Sequence, residues 1–497
     1  MKKFLSLTLA SMMLLGMLAA CSNADGDSQQ TNDPAVTTAA PAVGDTTPTE
    51  TADPTVDANG YKRDDLPADL NFNNETITML YWEDAEKPEF FVEDYTGEVV
   101  NDALLNRNRK VEERIGVKLE FVGTKGNYNN QANFITQAQN SVNSGGDIDI
   151  FAGYSMTGAT LAVQGLSQNL LDLKYINFDQ PWWPASLIDE TTINNKLYFC
   201  SGDIATSMLH FMYGEFVNRD MLKDFNLEDP YTLVEEGKWT IDKMFEMAKG
   251  VYSDLDGDGA LSLNDRYGLV TSSIHFDSFF PAAGLRTVEK SEDGKSLMIS
   301  PLFNSEKTVN LLEKINSFFH DSGEVNLTGT GAFFELGQTL FTVDRVYMAE
   351  NRLRDVEFDY GVVPVPKWDE AQENYITCMA FPFTLYSISS ATQKADIAAA
   401  TLECLGSEGY RQVTPMLFET AMKVKYATND KTAQMYDLIR ESVVIDLGRI
   451  FTTTFNNYTY SIFRNAVSNN QNNALQQFKL YEKLLNKSLD KINPIYE

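Results

Sequence analysis

Gly145-Gly146-Asp147-Ile148-Asp149-Ile150-Phe151-Ala152-Gly153 decides the fold of this 497-residue chain. Two glycines mark a turn, and the apolar residues after them read as a buried strand. A helical pattern from Ala132 to Val142 runs into that turn. Upstream, Gly116-Val117-Lys118-Leu119-Glu120-Phe121-Val122 reads as a strand, and Asn101 to Ile115 before it has helical spacing with charges of both signs. Further back, Glu75-Thr76-Ile77-Thr78-Met79-Leu80-Tyr81-Trp82 alternates as an opening strand does. Strands alternating with helices predict an α/β lobe with a largely parallel sheet. Ligands of such sheets sit beyond the carboxyl ends of the strands, here near Trp82 and Tyr154.

Downstream the pattern is more helical. Trp239 to Tyr252 is amphipathic, with Thr240 as N-cap and Asp242 and Lys243 in the first turn. Phe358 to Pro366 reads as a strand interrupted by prolines, a crossover between lobes. From Ala391 onward the chain reads as mainly helical, and no internal repeat is evident.

The N-terminus carries targeting information. Lys2 and Lys3 precede an apolar run from Phe4 to Met17, and Leu18-Ala19-Ala20-Cys21 follows. This is the pattern of a bacterial lipoprotein signal: residues 1–20 are removed and Cys21 is acylated. Residues 21–71 are rich in Thr, Ala, Pro, Asp, Ser and Gly, and read as a disordered acidic tether. The remaining body of roughly 425 residues is too large for one core and suits two lobes. A net charge of −30 argues against a nucleic-acid partner. Of four cysteines, Cys21 is assigned to lipid, leaving Cys200, Cys378 and Cys404 as buried thiols or one bridge and one thiol. His210, His275 and His320 stand alone and read as core or surface residues.

Seven short words follow one another along the body: Glu113 to Glu120, Gly146 to Ile150, Gly165 to Leu173, Asn195 to Tyr198, Val217 to Asp220, Glu236 to Thr240, and Asp359 to Lys367. In that order, behind a lipoprotein signal, they resemble the family 1 extracellular solute-binding proteins, the carbohydrate-binding lipoproteins of ABC importers. The resemblance covers most of the body. It implies a two-lobed, periplasmic-binding-protein-like α/β fold of type II, as in maltose-binding proteins, with a multi-segment hinge and a helical C-terminal part. It places crossings near Ser207, Gly361 and Phe381. Lobe 1 is then 72–207 with 362–384, and lobe 2 is 208–361 with 385–497.

A sugar site needs flat aromatic faces and side chains able to form paired hydrogen bonds. Strand ends and crossings offer Trp82, Glu83, Tyr154, Asp203, Tyr213, Phe276, Asp277, Arg345 and Phe381. Trp82 is the leading aromatic platform. Separately, Asp254-Leu255-Asp256-Gly257-Asp258-Gly259-Ala260-Leu261-Ser262-Leu263-Asn264-Asp265 has the spacing of an EF-hand-type loop. Asp254, Asp256, Asp258, Ser262, Asp265 and the Ala260 carbonyl would hold a structural Ca²⁺, and Leu261 would pin the loop to the core. Asp265 stands where Glu is usual, which leaves bidentate closure open.

Hydrolysis is the rival chemistry. Among 70 acidic residues carboxylate pairs are inevitable, and no zinc-protease, nucleophile-elbow or phosphate-loop motif is present. The sequence therefore predicts a non-enzymatic, monomeric, lipid-anchored solute-binding protein on the outer face of the membrane. It captures a solute, an oligosaccharide by expectation, and hands it to an ABC permease. A surface glycan-binding lipoprotein without transport and a glycoside hydrolase are the alternatives.

Overall fold

The computed structural model describes residues 55–329, 331–426 and 429–497. The signal segment, Cys21 and the tether up to residue 54 lie outside the described residues. Strands in chain order are β1 (Glu75–Trp82), β2 (Val117–Thr124), β3 (Ile150–Tyr154), β4 (Tyr213–Asn218), β5 (Tyr267–Val270), β6 (Val288–Lys290), β7 (Leu297–Ile299), β8 (Val325–Asn326), β9 (Thr339–Arg345), β10 (Tyr360–Val363), β11 (Thr377–Cys378), β12 (Thr384–Ile388) and β13 (Val443–Val444).

Lobe 1 is built on a sheet of order β12-β3-β1-β2. β1 lies parallel to both neighbours, pairing Glu75 with Val117 and Met79 with Ile150, while β12 closes the edge antiparallel to β3. The helices α1 (Val99–Ile115) and α2 (Gln131–Ser144) make the crossovers. The glycine turn works as its sequence implies. Gly145 ends α2 in the left-handed region at φ 108°, its N–H donating to Ser141 O. Asp149 then enters the sheet edge, where its carboxylate accepts from Thr78 N at 2.9 Å and pairs with Lys394 at 3.2 Å. Helix α3 (Ser155–Val163) follows β3 at once, so Tyr154 sits at the strand's carboxyl end.

Lobe 2 is built on a sheet of order β10-β4-β9-β5-β8, in which β4 alone runs against its neighbours. Thr240 caps Ile241–Ala248 by accepting from Lys243 N, and that helix stops earlier than Tyr252 because Glu324 takes the next three N–H groups, of Gly250, Val251 and Tyr252. The C-terminal helices Tyr458–Ser468 and Ala474–Ile492 pack with Glu306–Asn316. Trp182, Trp183 and Trp239 are buried, and Cys200, Cys378 and Cys404 are buried free thiols.

Three expected boundaries move. Residues 55–71 belong to the body, not to a tether: Leu66 is buried, Asp64 pairs with Arg114 at 2.8 Å, and Asp65 accepts from Asn177 and Gln180. A few apolar residues (Leu66, Leu70, Phe72) suffice to dock this polar stretch. The crossing expected at Gly361 is absent. Gly361 lies inside β10, where a Cβ would fall 2.0 Å from the Tyr231 hydroxyl, and the chain stays on lobe 2 as far as Lys367, bridged to Thr240. The lobe boundary expected at 384/385 falls instead near 408. β12 completes the lobe 1 sheet, and the buried helix Ala395–Glu408 covers it, packing on α1. The third crossing therefore involves residues 409–426, and the helix Asp430–Glu441 beyond them packs on β10.

Candidate ligand site between the lobes

Two of the crossings run side by side. Cys200 and Tyr386 exchange backbone hydrogen bonds of 2.9 and 2.8 Å, and Ala380 N donates to Phe211 O at 2.8 Å. Thr384 N adds a bond to Ser207 Oγ at 3.1 Å. This ribbon fixes where Phe381 stands relative to both sheets.

Around Phe381 the strand ends of the two lobes meet. From lobe 1, Ser155 Oγ donates to Phe381 O at 2.6 Å, and Tyr154 stands at the end of β3. From lobe 2, the Arg449 guanidinium lies 3.9 Å from the centre of the Phe381 ring, and Tyr460 meets that ring edge-on at 5.3 Å. Arg449 is placed by the short helix Leu447–Ile450, whose N-cap Asp446 accepts from Gly448 N and Arg449 N. Asp277 is shared: it lies 3.4 Å from Arg449 and accepts from Arg464 Nε at 3.2 Å on each oxygen. Arg464 in turn covers the Tyr460 ring at 4.2 Å. Across the lobes, the hydroxyls of Tyr128 and Tyr460 are 3.3 Å apart.

The electrostatics follow from burial. Burial pushes the phenols of Tyr154 and Tyr213 well above their ordinary values, although Arg449 acts on both in the opposite direction. The Cys378 thiol is likewise raised to about 12 by burial. For Arg449, burial favours loss of the proton, but Cys378, Asp277, Tyr213 and Asp446 outweigh it and hold the cation. Tyr154 and Tyr213 are therefore neutral phenols beside a fixed positive charge, together a hydrogen-bonding wall.

The enclosed space lined by Ser155, Met379, Phe381, Asp446 and Arg449 is about 10 Å³, room for roughly one water. Arg449 is 7% exposed, yet its Nε and Nη2 have no hydrogen-bond partner. Buried guanidinium donors are costly to leave unmet, so this wall is chemically incomplete. Charged pairs close the rim: Arg345 to Glu86 at 2.6 Å, and Lys87 to Glu350, which also lies 3.2 Å from His210. Beside them, Lys87, Glu335, Glu350 and Arg352 line an open cavity of about 660 Å³.

No protein-family model matches the chain, and no curated protein matches it. Solved structures do. A cyclo/maltodextrin-binding protein complexed with maltotetraose has TM-score 0.54 at 13% identity, covering 85% of this chain and 97% of that one. An ABC transporter solute-binding protein from Thermotoga lettingae, bound with α-D-tagatose, has TM-score 0.52 at 12% identity, covering 85% and 100%. An ABC substrate-binding protein from Listeria monocytogenes, in complex with cycloalternan, has TM-score 0.50 at 16% identity, covering 85% and 98%. This chain has the type II solute-binding fold.

Within the solute-binding fold, the structure brings Tyr154, Tyr213, Asp277 and Phe381 together around Arg449. Other expected site residues lie elsewhere. Trp82 is 2% exposed, one layer below the wall; it meets Tyr154 edge-on at 5.5 Å and donates to Thr384 Oγ1 at 2.9 Å, so it braces β3 and β12 and is no open platform. Glu83 is exposed, its N–H bonded to Thr124 O on the β2 side. Phe276 is core, edge-on to Phe319 at 5.8 Å. Asp203 accepts from Thr414 at 2.6 Å and pairs with Arg440 at 3.3 Å, pinning the third crossing. Arg345 serves the rim pair with Glu86. Sequence reasoning missed Arg449, Arg464, Tyr460 and Tyr128. One signal was available: Arg449 is a lone cation in the otherwise apolar run Leu447 to Phe451 behind a capping Asp446.

Carboxylate oxygens of Asp254, Asp256 and Asp265 converge within 4.8 Å of one another, hard donors of the kind Ca²⁺ takes. Gly259 has φ +72°, the turn its position requires. Asp265 is buried and accepts from Leu255 N, Ser262 N and the Tyr267 hydroxyl. Asp258 stays outside the converging group and accepts from Ala260 N at 2.7 Å. Leu261 is 63% exposed and pins nothing, because the antiparallel bridge of Ser253 with Arg266 already closes the loop base.

Proposed function

We propose that this chain is a non-enzymatic, monomeric solute-binding protein that captures a carbohydrate between its lobes and presents it to an ABC importer permease. The observation that carries this reading is Arg449. It is a buried cation stacked on Phe381 at the meeting of both lobes, with two donors unmet. Sugars offer C–H faces for the aromatic rings of Phe381 and Tyr460, and hydroxyls for Arg449, Arg464 and Asp277. The sugar complexes of proteins sharing this fold support the ligand class. Entry requires the lobes to part about the crossings, and ligand contacts made from both sides favour the closed form.

Two further parts belong to the proposal. The Leu18-Ala19-Ala20-Cys21 signal supports lipid anchoring through Cys21 at the outer face of the membrane. No helix of the described residues is long and apolar enough to cross a membrane. The convergence of Asp254, Asp256 and Asp265 supports a structural Ca²⁺ that braces the loop after Ile241–Ala248.

The test is calorimetric titration of the full chain with linear and cyclic glucans, other oligosaccharides and ketoses, alongside Arg449→Ala. Saturable heat with one sugar class, lost in the variant, is the expected result. No heat with any sugar, or undiminished binding by the variant, overturns the reading.

A further inference from the structure

The chain carries 70 acidic and 40 basic residues, yet its C-terminal helix presents a row of lysines to solvent. In Ala474–Ile492 the buried side chains are Ala474, Phe478, Leu485, Ser488, Leu489 and Ile492. Lys479, Lys483, Lys487 and Lys491 recur every fourth residue, and all four are exposed. That spacing aligns them along one side of the helix for about 18 Å, on the face turned away from the buried stripe. None of the four makes a salt bridge or side-chain hydrogen bond to a described residue. Between them stand two leucines in solvent, Leu480 at 67% and Leu484 at 38% exposure. Of the two acids on the helix, Glu482 points off this face and only Asp490 shares it, at its far end.

The helix is held rigidly. Tyr481 stacks on Tyr458 with ring centres 4.0 Å apart. Asn493 bonds both backbone groups of Leu297 on β7, at 2.8 and 3.0 Å.

We propose that this face docks on an anionic phospholipid bilayer. Paired lysines and leucines match an interface of phosphate headgroups over acyl chains: the ammonium groups meet phosphate and the leucines enter the boundary below it. Charge complementarity is local, because screening limits a surface charge to about 8 Å at physiological salt. The rest of this acidic protein is repelled by the same surface, so the lysine row sets which side of lobe 2 faces the membrane. The proposal does not depend on acylation of Cys21.

The full chain is mixed with phosphatidylcholine vesicles, with or without phosphatidylglycerol, and its lysines are acetylated and read by peptide mass spectrometry. Lys479, Lys483, Lys487 and Lys491 should react about threefold or more slowly on the phosphatidylglycerol vesicles, with the protection fading in high salt. Lys110 and Lys118, on lobe 1, should react equally on both. Lys483→Glu combined with Lys487→Glu should abolish the difference between vesicles while leaving the melting temperature unchanged. Equal reactivity of the row on both membranes overturns the proposal. So does protection as large from soluble polyglutamate as from phosphatidylglycerol, which would mark an acidic polymer or protein as the occupant.

Discussion

The guanidinium of Arg449 lies 3.9 Å from the centre of the Phe381 ring, which joins a charge from lobe 2 to an aromatic face on the hinge ribbon. The pair is one unit, since the ring faces the cation and two of the cation's donors stay without a partner. Arg449→Ala should therefore weaken sugar binding by about 2–3 kcal/mol, a factor of 30 or more. Arg449→Lys should restore little of it, because an ammonium lacks the planar fork. Asp277 keeps Arg464, so the fold should survive either change. Titration calorimetry with circular dichroism as a folding control decides; full rescue by lysine would show that charge alone suffices.

Glu350 reports on closure. Burial would raise its carboxyl, but hydrogen bonds and charge from His210 and Lys87 overcome this and hold it at about 2. A carboxylate depressed in the folded state contributes stability that is fully present above its ordinary value of 4.5 and is lost as pH falls toward about 2. Glu350→Gln should thus flatten the pH dependence of the melting temperature over that window. It should also favour the open lobes, because Lys87 is then left without its partner. Small-angle scattering at neutral pH would read the second effect as a larger radius of gyration; an unchanged radius would reduce the pair to a surface contact.

Much of lobe 1 was legible because its information is local. The Gly145-Gly146 turn and the β1 alternation, like the Thr240 cap in lobe 2, each depend on residues within a few positions, and each appears where the pattern placed it. The crossing expected at Gly361 was different. Val362-Val363-Pro364 reads as a strand end, and nothing in it says that Trp239 will bind the Pro364 carbonyl and keep the chain on lobe 2. Trp82 failed as a platform for the same reason. A strand-end aromatic faces solvent or packs inward according to what lies 302 residues away, here the Thr384 hydroxyl. Arg449 was hidden because its meaning lies in Phe381 and Asp277, both distant in sequence.

Glu215 sits in β4 with both carboxylate oxygens buried and unpartnered, and burial holds its pKa well above the ordinary 4.5. An acid raised in this way is neutral in the fold, and stability is lost progressively as pH climbs above 4.5 toward the folded value. Glu215→Gln should reduce that slope between about pH 5 and 8, leaving the part contributed by Glu403, whose carboxyl burial raises to about 7. Leucine at the site should stabilise further at pH 8, since no charge is then confined in an apolar layer. Thermal melts across pH settle it; a parallel slope in wild type and Glu215→Gln would assign the dependence to other groups.

Calcium gives the last prediction. With Asp254, Asp256 and Asp265 converging, three negative charges lie within 4.8 Å and repel one another unless a cation intervenes. Calcium at a hundredfold excess over its dissociation constant should stabilise the folded chain by about 2.7 kcal/mol, and a chelator should reverse this. Asp254→Asn should abolish the response at a small cost in the absence of calcium, because the amide oxygen keeps one of the bonds from Gly257 N and Gly259 N and the N–H that loses its partner is exposed to water. Asp265→Asn should abolish it at a larger cost, since an NH₂ would then face the N–H of Leu255 or Ser262 in a buried place. Magnesium, which keeps its waters and demands a tighter octahedron, should be a poor substitute. Melting curves in calcium, magnesium and chelator test all four statements. Identical curves in calcium and chelator would leave the loop as a hydrogen-bonded turn braced by Asp265.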